Sequence, residues 1–378
     1  MIDKISFENY KVFKDLQELE LRKITVLIGK NSSGKSAVAR LPTLIENSLS
    51  GTFSEPLILN NNGIKLGTLF RDLLYARKST GTLYISIKDE KEELNINIAS
   101  GIGTKDFPKI ARWSLSKNNQ VYLRYADHVF KGFIPTLDNP IESLILKTEF
   151  IDSIRVTPER GYEIPTSIEI KKIGITGENT YNILLKDFID EKSTLLNKIS
   201  DWYKNNFDGW GLRVNEELKP FYQFELTKDD LNINIKDVGQ GMTQVLPLVT
   251  IALMPTKEET LIIIEEPELH LHPAVHGNLA ELFVDSLNDT NKKYLIETHS
   301  QNFVLRLRRL VAEGKISKDN LIIYFVDFDE EESKSDLKRI NITDSGDVDY
   351  WPEDIFSETL KEALAIRKAQ KGKGFYDS

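Results

Sequence analysis

The sequence has no cysteine, only three methionines and only four tryptophans in 378 residues. Without cysteine there can be no disulfide, thiol nucleophile, iron–sulfur cluster or cysteine-rich zinc site. The lack of disulfides fits a cytoplasmic protein. Long apolar runs are missing as well. Nothing approaches the roughly 18 consecutive apolar residues of a membrane helix, so no membrane partner is expected. The opening MIDKISFENYKVF has no apolar secretory core and reads as a strand. Basic residues are in deficit: 49 Lys and Arg against 58 Asp and Glu give a net charge of −9. That argues against a uniformly basic nucleic-acid binder but leaves room for a local basic groove. What is present, 40% hydrophobic and 28% charged residues, matches an ordinary globular protein of two or three domains or one large decorated one.

Residues 1–28 alternate like two strands, with Ile5 and Phe7 apolar in the first and the β-branched run ITVLIG (24–29) in the second. A Gly-rich turn leads into a helix from about Lys35 to Ser48. The middle of the chain differs in texture. GTLYISIKDE and KEELNINIAS predict a hairpin, and strands are expected over 145–156 and 165–173. Helices follow over 179–190 and 193–206, and the strand pair FYQFEL and LNINIK brackets a TKDD turn. From 238 onward strands and helices alternate: helix 242–254, strand TLIIIEE, helix 273–288, strand KKYLIET, helix 300–314, strand NLIIYFV. Short buried strands alternating with helices predict a parallel sheet covered by helices. A tail helix is expected over 356–369. The expected organisation is an α/β core lobe over 1–50, a β-hairpin and helical insertion over 51–235, a second core lobe over 236–330, and a strand and helix extension over 331–378.

Gly29-Lys30-Asn31-Ser32-Ser33-Gly34-Lys35-Ser36 is a complete G-x-x-x-x-G-K-S placed between a strand and a helix. Glycines let the backbone wrap so that its N–H groups face phosphates, and the helix N-terminus adds its positive end. Lys35 is expected at the β- and γ-phosphates and the Ser36 hydroxyl on Mg²⁺. In Leu261-Ile262-Ile263-Ile264-Glu265-Glu266 an apolar strand closes on two carboxylates, which is unfavourable unless they bind something. Strand neighbours point to opposite faces, so Glu265 can serve the metal shell while Glu266 polarises an attacking water. Taken alone, such carboxylates are more often simply solvated. Glu297-Thr298-His299-Ser300 also ends a strand, and the carboxyl ends of a parallel sheet would bring His299 to the same crevice. Asp237-Val238-Gly239-Gln240-Gly241-Met242-Thr243-Gln244 opens a helix with two glycines. By itself that is as readily a capping turn as a phosphate contact. Two Gly-rich helix starts cannot easily meet one nucleotide within one core, and a head-to-tail dimer would let each chain complete the other's site.

The order of phosphate loop, long insertion, VGQGMTQVLPL, IIIEEPELHLHP and ETHSQNFVLRLRRL resembles the ABC-type ATPase heads. Within these it is similar to the bacterial OLD-like branch, related to SMC and recombination-repair ATPases. The similarity is greatest to a stand-alone AAA-family subgroup whose C-terminal region is catalogued as a domain of unknown function. The resemblance implies a P-loop NTPase fold of ABC type, with a mixed or parallel sheet, a β-rich N-terminal part and a helical and β insertion. It implies ATP and Mg²⁺ as cofactors, with Gly29, Asn31, Ser32, Ser33, Gly34, Lys35 and Ser36 at the phosphates. Glu265 would stand with Ser36 near the metal, Glu266 would be the catalytic base and His299 the switch histidine. Gly239, Gly241 and Gln244 would meet the partner's γ-phosphate, and His270-Leu271-His272-Pro273 would lie at the dimer seam.

Two departures stand out. Glu265 replaces the usual Asp, and Gly239 stands where most such heads place a Ser; both suit a slow, ATP-gated switch. The Gln that usually links metal site to insertion is absent, and Arg155–Arg160 is the segment to replace it. Asp327-Phe328-Asp329 mimics the D-x-D of a TOPRIM nuclease, yet DFDEEESKSD reads better as a solvated hairpin turn, so intrinsic nuclease activity is not expected. Stand-alone heads of this kind sit in anti-phage defence systems beside a separate nuclease or toxin effector. The alternative is a repair or recombination ATPase acting directly on DNA, with Arg306, Arg308 and Arg309 as a basic cluster; a transporter subunit is a weaker third reading.

Overall fold

The computed structural model describes residues 2–61, 63–101, 107–164, 172–190, 193–352 and 358–372. Two-residue pairings aside, the strands in chain order are β1 (Lys4–Glu8), β2 (Gln17–Glu20), β3 (Ile24–Gly29), β4 (Thr82–Lys88), β5 (Glu92–Ala99), β6 (Lys109–Lys117), β7 (Gln120–Tyr125) and β8 (Thr148–Ile151). They continue with β9 (Gly211–Asn215), β10 (Phe221–Lys228), β11 (Leu231–Asn234), β12 (Thr260–Glu265), β13 (Lys292–Glu297), β14 (Leu321–Asp329) and β15 (Lys334–Ile340). The helices are α1 (Lys35–Leu49), α2 (Thr180–Asp190), α3 (Thr194–Asn206), α4 (Gln240–Gln244), α5 (Leu246–Leu253), α6 (Pro273–Ser286), α7 (Gln301–Ala312) and α8 (Glu358–Gly372).

The central sheet runs β8-β12-β13-β3-β14-β15, parallel through its first five strands and closed by the antiparallel β15. β3 is buried along its whole length, as a strand covered on both faces must be. The period of two then sorts its side chains into two cores. Ile24, Val26, Ile28, Ile262, Ile264 and Ile296 face helices α5 to α7 through Val249, Phe283 and Leu307. Leu27, Leu261, Ile263 and Leu295 face α1 through Val38 and Leu41, and beyond it a second sheet. That second sheet is fully antiparallel, in the order β2-β1-β4-β5-β6-β7. Its inner face places Phe7, Ile85, Ile96 and Trp113 in the same core, all fully buried. The Trp113 Nε1–H donates to the Phe133 carbonyl at 2.9 Å, which satisfies its one polar group. α1 is thus clamped between two sheets, which holds its first turn, and the loop before it, at a fixed place.

The mixed α/β architecture agrees with expectation. The expected insertion over 51–235 is no single excursion: β4–β7 complete the sheet begun by β1 and β2, and β8 forms an edge of the central sheet. Hydrogen bonding between strands so distant in sequence leaves no local trace. The α2, α3 and β9–β11 module lies outside both sheets, packing on the α5 side of the core. The strand and helix expected over 331–378 are β15, which pairs with β14 along seven positions, and α8. The helix expected over 242–254 is two segments meeting at Val245. Most of the strand expected over 165–173 lies outside the described residues. The DFDEEESKSD run is a hairpin turn between β14 and β15, with Asp327 paired to Lys338 at 2.6 Å. Among the described residues no helix is long and apolar enough to cross a membrane.

Candidate nucleotide site

β3 ends at Gly29 and α1 begins at Lys35, so the loop between them hangs at the carboxyl end of the central sheet. A Cβ on Gly29 would stand 2.5 Å from the Val326 carbonyl oxygen, so only glycine lets β14 approach. Gly34 caps α1 with φ +104°, a left-handed conformation that glycine adopts without strain. Lys30, Asn31 and Ser32 are exposed, whereas Ser33 and Lys35 are buried. The Lys35 Nζ–H groups donate to the Gly29 and Lys30 carbonyls at 3.1 and 2.8 Å, folding the ammonium back under its own loop. Burial holds the ammonium below the usual lysine range, against the pull of Glu297, Glu266 and Glu268. α1 has no side-chain cap on its first turn, so its N–H groups are open to an anion.

The sheet register brings the acidic residues together. Glu265 pairs with Glu297 across β12 and β13, and both side chains are only 4% exposed. They meet different partners. Arg40, one turn beyond Ser36 on α1, donates from Nε and Nη2 to the two Glu265 oxygens at 2.6 and 2.5 Å. Ser36 Oγ–H donates to Glu297 Oε1 at 3.0 Å, while Glu297 Oε2 is buried without a partner. Burial, and then the charge of Glu265, push the Glu297 carboxyl up to about 7, although Lys35 and Ser36 oppose it. Glu266 follows with φ +44°, its N–H donating to the Glu297 carbonyl at 2.8 Å. The His299 N–H donates to Glu268 Oε1 at 2.6 Å. Burial lowers the imidazole below its ordinary value, and the nearby Lys35 ammonium adds to this, so His299 is neutral at neutral pH. Ligand atoms of Glu266, Glu297 and His299 lie within 4.8 Å of one another.

α4 begins at Gly239, which is exposed and has nothing within 4 Å of where a Cβ would be. Two residues on, a Cβ at Gly241 would stand 2.8 Å from the His270 carbonyl oxygen, so this face of α4 lies against the turn after β12. Gln244 shares that face. It is buried, and its Nε2–H donates to the Arg155 carbonyl at 3.2 Å. In the segment after β12, His270, His272 and Pro273 are exposed.

Comparison with known proteins decides the family. A family model described as AAA ATPase domain matches residues 1–105 and 76–304, which together span most of the chain. The chain belongs to this AAA ATPase domain family. A second model, described as a protein of unknown function (DUF3696), matches residues 316–366. No curated protein sequence matches the chain. Among solved structures it is similar to the SmcHead bound to the C-winged helix domain of ScpA, at 12% identity, with 90% of this chain and 97% of that chain covered and a TM-score of 0.50. The SMC head domain from Thermotoga maritima aligns at 10% identity and TM-score 0.45, covering 90% of this chain and 99% of that one. An Smc head domain with an extended coiled coil, bound to the C-terminal domain of ScpA derived from Pyrococcus furiosus, aligns at 13% identity and TM-score 0.49, covering 97% of this chain and 99% of that one. The ABC-type P-loop fold is shared with the first of these, the ScpA-bound SmcHead.

Within this AAA ATPase, Lys35 of the Gly29–Ser36 loop, Glu266, Glu297 and His299 lie together at the carboxyl end of the central sheet. Two of the expected site residues have other partners in this chain. Glu265, expected beside Ser36 at the metal, has both oxygens engaged by Arg40, and the carboxylate on the Ser36 hydroxyl is Glu297. Gln244, expected at a partner's γ-phosphate, is turned inward to Arg155, and Gly241 is covered by His270, so of the three signature residues Gly239 is the exposed one. Sequence pattern alone singles out neither Glu297 nor Arg40. Arg40 had a readable signal, four residues after Ser36 and so on its face of α1. Glu297 had a weaker one, a second acidic strand end.

Proposed function

We propose that the chain is an ATP-gated dimeric switch that binds and hydrolyses ATP with Mg²⁺ and serves as the regulatory ATPase of an anti-phage defence system, controlling a separate nuclease or toxin effector. The observation that carries the ATP-dependent part is the convergence of Glu266, Glu297 and His299 within 4.8 Å of one another, with Lys35 at 4.0 Å from Glu297. In this reading the backbone from Gly29 to Ser36 receives the phosphates, and Lys35 exchanges its two carbonyl partners for phosphate oxygens. A buried carboxylate oxygen without a partner, on Glu297, beside a serine hydroxyl is a donor set that fits a hard divalent cation. Ser36 and Glu297 would hold Mg²⁺, which supplies charge neutralisation on the phosphates when bound. Glu266 takes the proton of the attacking water. Neutral His299 offers one ring N–H as a donor to the γ-phosphate side of the crevice.

The exposed Gly239 supports a head-to-tail homodimer in which α4 faces the partner's nucleotide, with His270–Pro273 at the seam. A glycine in place of a hydroxyl donor there suits a slow switch. The defence role and its effector rest on the OLD-like motif order. A repair ATPase that grips DNA through Arg306, Arg308 and Arg309 finds less support, because all three are engaged. Arg306 pairs with Glu281 at 2.7 Å and Arg309 with Glu313 at 3.0 Å, while Arg308 donates to Gly346 and lies over Trp351. The test uses Lys35→Ala. It should lose binding of a fluorescent ATP analogue and abolish hydrolysis while keeping its Tm. In cells expressing the protein with its neighbouring gene, it should also abolish protection against phage challenge. Protection unaffected by Lys35→Ala would end the defence reading, and hydrolysis unaffected would end the site assignment.

A further inference from the structure

Arg155 lies between β8 and the α2–β11 module and is only 4% exposed. Burying a guanidinium is costly unless its donors are paired, yet Nε and Nη1 have no partner. Only Nη2 is used, and it binds backbone. It donates to the Glu265 carbonyl at 3.1 Å and the Glu266 carbonyl at 3.0 Å. Burial holds the guanidinium at about 10, below the arginine range, with Glu268, Asp152 and Glu266 opposing. It remains a cation at neutral pH.

Those two carbonyls sit where the chain leaves β12 and turns through a positive φ at Glu266. On the other side, the Glu266 N–H is fixed to the Glu297 carbonyl at 2.8 Å. Both peptide planes flanking Glu266 are therefore held, the first by β13 and Arg155 together and the second by Arg155. A left-handed backbone at a glutamate is unfavourable by of order 1–3 kcal/mol and persists only where its surroundings impose it. The Arg155 carbonyl in turn accepts from Gln244 of α4. An unbroken run of hydrogen bonds thus joins the Gly-rich helix, Arg155 and the backbone of Glu266.

We propose that Arg155 is a positioning residue for hydrolysis, a buried strut through which the placement of α4 sets the orientation of Glu266. The inference rests on the ATPase reading above and extends it, because Arg155 is none of the groups assigned to nucleotide or metal. When the exposed end of α4 is engaged, Gln244 moves with its helix, and Arg155 passes that shift to the peptide carrying the carboxylate. Both carbonyls are met by Nη2, whose two N–H bonds are fixed in the guanidinium plane, whereas a lysine ammonium is a rotatable point charge and holds the two peptides less rigidly.

The test compares ATP turnover and binding of a fluorescent ATP analogue in the full-length protein. Arg155→Met should lower kcat about ten-fold or more while KM for ATP stays within about two-fold. Arg155→Lys should be intermediate, and added guanidinium ion should restore part of the turnover of Arg155→Ala but none to Glu266→Gln. Gln244→Ala should lower kcat, and adding it to Arg155→Met should cost little more, since both break one path. Unchanged turnover in Arg155→Met overturns the proposal. So does a loss that tracks a lowered Tm with no guanidinium rescue. If Arg155→Met fails to fold, full turnover in both Arg155→Lys and Gln244→Ala overturns it. A wild-type protein that hydrolyses no ATP would instead overturn the ATPase reading.

Discussion

Glu297 is caught between burial, which favours its neutral form, and the Lys35 ammonium and Ser36 hydroxyl, which favour its charge. Burial prevails and its carboxyl stands at about 7. The consequence for stability has a definite sign. Below the ordinary value of 4.5 the group is protonated whether folded or unfolded, and nothing is lost. As pH rises from there toward 7, the unfolded chain releases the proton while the folded chain retains it, so this group's relative stabilisation fades across that window. Glu297→Gln cannot ionise and is spared. In nucleotide-free protein with chelator, its Tm advantage over wild type should grow between pH 5 and 7 and level off above, as read by differential scanning fluorimetry. A difference that stays constant across pH would mean that Glu297 is ionised throughout. The same residue should matter to the metal. Glu297→Gln should raise the magnesium needed for half-maximal turnover by about ten-fold or more, measured by titration at saturating ATP.

At the scale of an element, α4 shows two glycines doing different things within three residues. Gly239 has open space around it, with φ −61°, so Gly239→Arg should fold with an unchanged Tm and bind ATP normally. Turnover should nevertheless be lost, because the bulky cation stands where a partner's nucleotide would dock. Mixing it with wild-type protein should poison mixed dimers. Unchanged hydrolysis would refute the placement of α4 at a partner's site. Gly241→Val, by contrast, drives a side chain into the His270 carbonyl and should cost about 1–3 kcal/mol, read as a lower denaturation midpoint. The sequence distinguishes neither case, since both glycines belong to one motif. What it does carry is whatever depends on local spacing. The G-x-x-x-x-G-K-S run places the loop, the apolar runs of β3, β12 and β13 predict buried parallel strands, and hairpin β4–β5 is readable from its alternation. What it hides depends on pairing at a distance. That Glu297 rather than Glu265 meets Ser36 follows from β13 lying beside β3, and from Arg40 capturing the neighbouring carboxylate. The sheet that joins β1 and β2 to β4–β7 is hidden for the same reason.

For the whole molecule, the proposed dimer sets two surfaces face to face. The loop, Lys35, Glu266, Glu297 and His299 form one wall, and the exposed Gly239 before α4 belongs to the other. If the second wall comes from a partner, ATP is the bridge between two copies and hydrolysis is what releases them. Glu266→Gln keeps the shape and hydrogen-bonding reach of the side chain but cannot take a proton. It should therefore bind ATP as wild type does, hydrolyse it at least about a hundred-fold more slowly, and accumulate as a dimer. In light scattering coupled to size exclusion, its mass should double from 43.2 kDa in the presence of ATP and magnesium, and return to monomer when either is withdrawn. Lys35→Ala introduced into the same chain should abolish the dimer by removing the nucleotide. Gly239→Arg in the same background should abolish it while ATP still binds. A Glu266→Gln protein that remains monomeric with ATP and magnesium would sink the head-to-tail arrangement, whatever its hydrolysis rate. A dimer indifferent to Gly239→Arg would keep two copies but move the seam away from α4.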